Sequence, residues 1–141
     1  MDGEKTAGDW GDPFMTDGTL LLRQIHPLFI QLGRVTSQAF RPTPKDNHKL
    51  SVYDGDLIAP EASWRHYRSR ELQSVGVMAI SVGECKKEDL IVASSPEIFP
   101  EHAHIDFHQY SSSQCENKGK KLKNAAEIRG WQYKMDSINK F

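Results

Sequence analysis

Hydrophobic positions fall along this chain in short runs, and their spacing switches repeatedly between the period of a strand and the period of a helix. Residues 19–25 carry Leu20, Leu21 and Leu22 in succession, which predicts a strand buried on both faces, opened by the turn-forming pair Asp17-Gly18. His26-Pro27 starts a short helical segment with Leu28, Phe29 and Leu32 on its apolar side, and Gly33 suits a left-handed end to it. From Arg34 to Phe40 the pattern reads as a strand, Val35, Ser37 and Ala39 alternating with Thr36, Gln38 and Phe40. Residues 41–47 contain Pro42 and Pro44, which remove ladder donors, so this stretch is expected to be a stiff extended loop. Leu50 to Tyr53 forms a short strand closed by Asp54-Gly55-Asp56.

The clearest helix begins at Pro60, a residue suited to the first helical position, with Glu61 favourable at the positive helix end. Trp64, Tyr67 and Leu72 step along at helical spacing, while Arg65, Arg68 and Arg70 fall mostly off that stripe. Residues 75–82 are β-branched and apolar and predict a buried strand; 90–93 and 103–107 are shorter candidates. A basic helix is expected near residues 120–129, beginning weakly at Gly119, with Leu122, Ala125 and Ala126 as its apolar stripe and Gly130 as its cap. Trp131 and Tyr133 are expected to dock on the core. Strands and helices mix without a βαβ rhythm. The expected fold is therefore a single small α+β domain with a mixed or antiparallel sheet and two to three helices.

Composition narrows the setting more than the chemistry. A chain of 141 residues fits one domain, and a net charge of −1 gives no reason to expect a nucleic-acid or membrane partner. No apolar run approaches the ~20 residues that cross a bilayer. Residues 1–16 are acidic and rich in glycine and are expected to be a disordered leader, without the basic end and apolar middle of a signal peptide. Residues 17–133 are expected to form the folded unit, and 134–141 a frayed tail. Cys85 and Cys115 match no zinc or redox spacing and read as free thiols of a cytoplasmic protein.

Three groupings could carry chemistry. In the first, Arg34, Thr36, Ser37, Arg41 and Lys45 place guanidinium, ammonium and hydroxyl donors along an edge stiffened by Pro42 and Pro44. Such donors suit a phosphate or carboxylate, and a preshaped loop loses less entropy on binding. No glycine-rich phosphate cradle accompanies them. In the second, period two puts His102, His104, Asp106 and His108 on one strand face, a set able to do acid–base work or to hold zinc. This run resembles the alternating motif of histidine triad hydrolases, although Asp106 stands at the third alternating position. It also resembles the metallo-β-lactamase motif, with Phe107 where a histidine should follow Asp106. In the third, Arg23, Tyr53 and Glu61 resemble the basic, aromatic and acidic groups of ADP-ribosyltransferase-like domains, which implies pyrophosphate binding, stacking and stabilisation of a ribosyl cation.

Other signals are thinner. Lys86 and Lys87 follow Cys85 and could lower its thiol pKa. Lys118, Lys120, Lys121, Lys123 and Arg129 make a basic block that reads as a solvated helix face. The stretch RQIHPLFIQLGRVTSQAFRPTPKDNHKLSVYDGDLI resembles a set of small uncharacterised bacterial proteins, which implies a bacterial cytoplasmic chain and supplies no activity. The leading expectation is a binding or accessory module that takes a phosphorylated ligand or an acidic partner protein on the edge from Arg34 to Lys45. Arg23 and Tyr53 join its candidate ligand-binding residues. The alternative is a small enzyme acting on a nucleotide, NAD or nucleic acid, with His102, His104 and Asp106 as its working groups. No cofactor is specified by either.

Overall fold

The computed structural model describes residues 15–135. Its centre is a six-stranded sheet built from β1 (Leu20–Gln24), β4 (Lys49–Asp54), β5 (Gly76–Ser81), β6 (Ile91–Ser94), β7 (His102–Asp106) and β8 (Tyr133–Lys134). The strands lie in the order β6-β7-β4-β1-β5-β8, and every neighbouring pair is antiparallel. A separate hairpin joins β2 (Ile30–Gln31) and β3 (Arg34–Val35). Three α-helices complete the fold: α1 (Pro60–Ser69), α2 (Val82–Lys87) and α3 (Ser112–Arg129). This is the single small α+β domain that the mixed periodicity predicts, with the sheet of the antiparallel kind.

Both faces of β1 are covered, as the triple leucine requires. Leu21 packs into the larger core with Phe40, Ile80, Phe107 and Leu122, whereas Leu22 turns to a smaller cluster with Tyr53, Val77 and Ala79. The first face lies under α3 and the 3-10 turn Ser37–Phe40; the second lies under α1, whose Trp64 and Tyr67 pack on the smaller cluster. Burial of Trp64 is completed by its indole N–H, which donates to the carbonyl of Ser74 at 2.9 Å. A buried polar set ties α1 down: Gln24 donates to Ser63 at 3.0 Å and accepts from Ser74 at 2.8 Å. All three of these side chains are hydrogen-bonded, which offsets their desolvation, and they fix the seat of α1.

Several local expectations change. Residues 37–40 form a 3-10 turn rather than a strand, so the consecutive Ala39 and Phe40 are both buried. The helical segment expected to start at His26-Pro27 is the single 3-10 turn Pro27–Phe29, with His26 Nδ1 accepting from the backbone of Leu28. Gly33 does take a left-handed φ of 78°, but it shares the β2–β3 hairpin turn with Leu32 at 52° and ends no helix. The loop at 41–47 contains a 3-10 turn at Pro44–Asp46, closed by a capping box between Thr43 and Asp46. Helix α3 starts at Ser112, where Ser111 and Gln114 form another capping box. Gly119 therefore sits inside the helix, where a Cβ would lie 3.3 Å from the carbonyl oxygens of Ser37 and Phe40. The glycine lets α3 approach the backbone of that turn.

At the ends, residues 1–14 of the expected leader lie outside the described residues. Met15 packs against the main core, and Thr16 is hydrogen-bonded to Thr19. Lys134 belongs to β8, and the backbone N–H of Met135 donates to Val75, so the start of the expected tail is held to the sheet. Among the described residues no helix is long and apolar enough to cross a membrane.

Candidate anion-binding cleft

Strands β1 and β5 stay in register over five residues, but β1 and β4 pair only at Leu21–Asp54 and Leu22–Tyr53. Beyond Leu22 the two strands part, and Arg23 crosses the gap. Its Nε donates to the Ala39 carbonyl at 2.7 Å and its Nη1 to the Ser51 carbonyl at 2.9 Å. Arg23 thus gives the Ser51 carbonyl a donor where the ladder stops, and ties β1 to the 3-10 turn at Ala39. Burial strips water from the guanidinium and lowers its pKa from the ordinary value. Asp46 acts on it through space, yet among the described residues no carboxylate lies within ion-pair distance.

The gap opens into a cleft of about 380 Å³ bounded by β1, β4, the C-terminal end of α1 and the segment before β7. This is the size range of small-molecule sites, roughly 300–1,000 Å³. Arg70, just beyond α1, reaches over the ring of Phe99 at 5.1 Å, and Lys49 stands at the start of β4. Among the described residues neither Arg70 nor Lys49 has an ion pair. Among the described residues the lone carboxylate lining the cleft is Asp46, and its Oδ2 already accepts from the backbone and hydroxyl of Thr43. Three cations and one occupied carboxylate line the cleft, while Glu97 and Glu101 act through space on His102 and Tyr53.

An aromatic corner closes the other end. Phe99 lies 5.1 Å from Tyr53, 4.6 Å from His66 and 5.0 Å from His102, measured between ring centres. The Tyr53 hydroxyl and His66 Nδ1 are 2.8 Å apart. Burial pushes the Tyr53 hydroxyl up to about 12, against the pull of the Arg70 guanidinium, so it stays protonated at neutral pH. Tyr53 and His102 are direct partners across the β4–β7 ladder. His102 is 7% exposed, and its buried Nδ1 has no hydrogen-bond partner. Burial first, then His104 and Arg70, push its pKa down to about 4, so the ring is neutral at neutral pH.

The structure brings together residues from two sequence groupings that looked independent. Arg23, Tyr53 and His102 line one cleft. Glu61 does not join them; it is exposed at the start of α1 and pairs with Arg65 at 2.6 Å. His102, His104 and Asp106 share a sheet face as period two requires, but they serve different partners. His104 Nδ1 is 2.6 Å from the Ser95 hydroxyl, and burial lowers its pKa. Asp106 accepts from the backbone of His108 at 2.8 Å and lies 3.0 Å from its Nδ1. Among the described residues, no three His, Cys, Asp or Glu side chains are grouped to hold a metal.

The edge from Arg34 to Lys45 is divided. Arg34, Thr36 and Ser37 line a second groove of about 450 Å³ with Lys120 and Lys123, and the Thr36 hydroxyl is buried there without a partner. Arg34 is occupied by both oxygens of Glu127, at 3.0 and 3.2 Å, and Lys123 also pairs with that carboxylate. Arg41 has a buried Nε without a partner and lies against α3 at Gly119, while Lys45 is exposed on its turn. Cys85 is fully buried, which raises its thiol pKa despite the lysines beside it. The basic block is largely engaged by Glu84, Glu88 and Glu127. Arg70, Lys49 and Phe99 were not singled out by sequence. Arg70 sits off its helix stripe, a position that ordinarily reads as solvated charge.

The depressed pKa of His102 has a measurable consequence. Between pH 6.5 and about 4 the unfolded chain takes a proton at this residue that the folded chain refuses. Stability is therefore full above that window, falls as pH drops through it and levels off below, by roughly 1–3 kcal/mol in all. Urea unfolding at about pH 7 and about pH 5 checks this. His102→Gln should flatten part of the pH slope, and an unchanged slope would remove His102 as its source.

No protein-family model, curated protein or solved structure matches this chain.

Proposed function

We propose that the domain is a cytoplasmic binding module for a small phosphorylated molecule, held in the cleft between β1 and β4. The observation that carries this reading is Arg23: a half-buried guanidinium, hydrogen-bonded to two carbonyls, with no carboxylate within ion-pair distance among the described residues. A charge partly withdrawn from water without a counter-ion is costly, and an anion entering the cleft would offset that cost. Lys49 and Arg70, both without ion pairs among the described residues, raise the local positive potential further. Neutral His102 adds no competing charge. A binding role fits better than catalysis because His104 and Asp106 are drawn to separate partners and leave His102 without a relay. The free buried thiols Cys85 and Cys115 accord with a reducing compartment.

Calorimetric titration with inorganic phosphate and ribose phosphate tests the reading. Binding should saturate at one site and weaken as ionic strength approaches ~1 M, where charges are screened beyond ~3 Å. Lys49→Ala and Arg70→Ala should each weaken it by about 10-fold or more, the loss of one charge-assisted contact. Arg34→Ala should leave it unchanged. Absence of binding, or binding that follows Arg34 instead, would overturn the assignment.

A further inference from the structure

The β2–β3 hairpin and α3 form a second surface that the phosphate cleft does not use. The hairpin turns on Leu32 and Gly33, both at left-handed φ, 52° and 78°. A two-residue turn of this kind favours asparagine followed by glycine, because a branched side chain is strained there. Leu32 bears that strain and is also 103% exposed, so its side chain buries nothing against the domain. Folding alone does not explain it. Ser37 lies against Gly119 of α3, and Arg34 reaches Glu127 two turns later in the helix. The chain from Arg34 to Ser37 therefore runs antiparallel to α3, and the hairpin tip points toward the C-terminal end of the helix. Between the two lies the groove of about 450 Å³, lined by Gln31, Leu32 and Arg34 on one side and by Lys120, Lys123 and Asn124 on the other. Lys120, Asn124 and Ile128 recur at i, i+4 and i+8, so Ile128, 88% exposed, continues the helix wall at the end where Leu32 stands. Among the described residues no carboxylate lines the groove. Glu127 pairs with Arg34 and Lys123, whereas Lys120 has no ion pair among the described residues, with Glu116 one turn before it included.

We propose that this groove docks an acidic segment of a partner protein, its carboxylates toward Lys120 and the Arg34–Lys123 pair and an apolar side chain between Leu32 and Ile128. The proposal is independent of the phosphate cleft. Cationic lining selects an acidic partner by charge complementarity. Length selects a peptide: from Lys120 to Ile128 the helix wall runs ~12 Å at ~1.5 Å per residue, farther than one phosphate reaches. A lone phosphate would also find Arg34 and Lys123 already sharing one carboxylate. Arg34 is 71% exposed in its side chain, so its pair with Glu127 is a weak surface contact that can admit a second carboxylate. No aromatic side chain lines the groove to stack a base, which disfavours single-stranded nucleic acid. The side-chain amides of Gln31 and Asn124 can each give and take a hydrogen bond with a peptide main chain.

A phage-displayed library of random peptides, panned on the full chain, provides the test. Enriched peptides should carry Asp or Glu around a leucine, isoleucine or aromatic residue, and their binding should weaken as salt rises. Lys120→Glu and Leu32→Asn should each weaken the tightest enriched peptide by about 10-fold or more, while inorganic phosphate binds both variants as it binds the wild type. Leu32→Asn should also raise Tm by a few degrees, because asparagine relieves the strained turn. Higher stability with weaker binding is the mark of a docking anchor, which a folding residue would not show. A lower Tm for Leu32→Asn overturns that role. Enrichment of basic peptides, absence of enrichment, or peptides indifferent to both substitutions overturns the proposal. So does tighter binding, through the same two residues, to vesicles of phosphatidylserine and phosphatidylcholine, which would assign the surface to a membrane instead.

Discussion

Replacing Arg23 by methionine is expected to weaken binding of phosphorylated ligands by about 30-fold or more and to lower folding stability by about 1–2 kcal/mol. The binding loss follows from removing the one cation at the base of the cleft: truncating a buried charged partner costs ~2–5 kcal/mol, about 30-fold or more in affinity. The stability loss has a separate origin. Without the guanidinium, the Ala39 and Ser51 carbonyls lose donors at the point where β1 and β4 part. Ser51 is exposed, so water can take up its carbonyl, whereas Ala39 is fully buried; an unsatisfied buried acceptor costs ~1–3 kcal/mol, and relief from withdrawing an unneutralised charge from water returns part of that. Urea unfolding with and without ribose phosphate separates the two effects. The ligand should stabilise the wild type and leave Arg23→Met where it was. A methionine variant as stable as the wild type, or still stabilised by ligand, would show that Arg23 neither bridges the strands nor binds the anion.

That residue also shows what could be read before folding was known. Arg23 was visible as a basic group on the first strand, and the triple leucine beside it correctly required cover on both sheet faces. Period two correctly put His102 and His104 on one face, because a strand's alternation is a local property. What sequence could not supply was register. Tyr53 faces His102 only through the β4–β7 ladder, across almost fifty residues of chain, and Arg70 reaches the same corner only through the seat of α1. The edge from Arg34 to Lys45 misled for the opposite reason. Its donors are close in sequence, but two 3-10 turns point them to different surfaces, and Glu127, distant in sequence, occupies Arg34. The start of α3 was missed because its apolar stripe is narrow, although Ser111 and Gln114 carried the capping-box spacing.

The largest purely structural effect should come from Phe40→Ala, expected to destabilise the domain by about 3–5 kcal/mol and to lower Tm by roughly 10–20 °C. Phe40 ends the 3-10 turn that a strand reading would have left half-exposed; in the fold it is 0% exposed. It sits in the main core with Leu122 and Ala126 of α3, and its own carbonyl lies where the helix comes closest, at Gly119. The apolar stripe of α3 is narrow, so the helix depends on this contact more than on its own amphipathic pattern. Removing the ring leaves a cavity between helix and sheet that close-packed neighbours only partly fill. Because small domains are stable by only ~5–15 kcal/mol, the variant should sit near the edge of folding at physiological temperature. Leu32→Ala serves as the control, since Leu32 is 103% exposed on its hairpin turn and its removal should change little. Thermal unfolding of both variants, followed by helix signal, distinguishes the cases. A loss below about 1 kcal/mol for Phe40→Ala would mean that α3 is anchored elsewhere, and that the turn at residues 37–40 is not its seat.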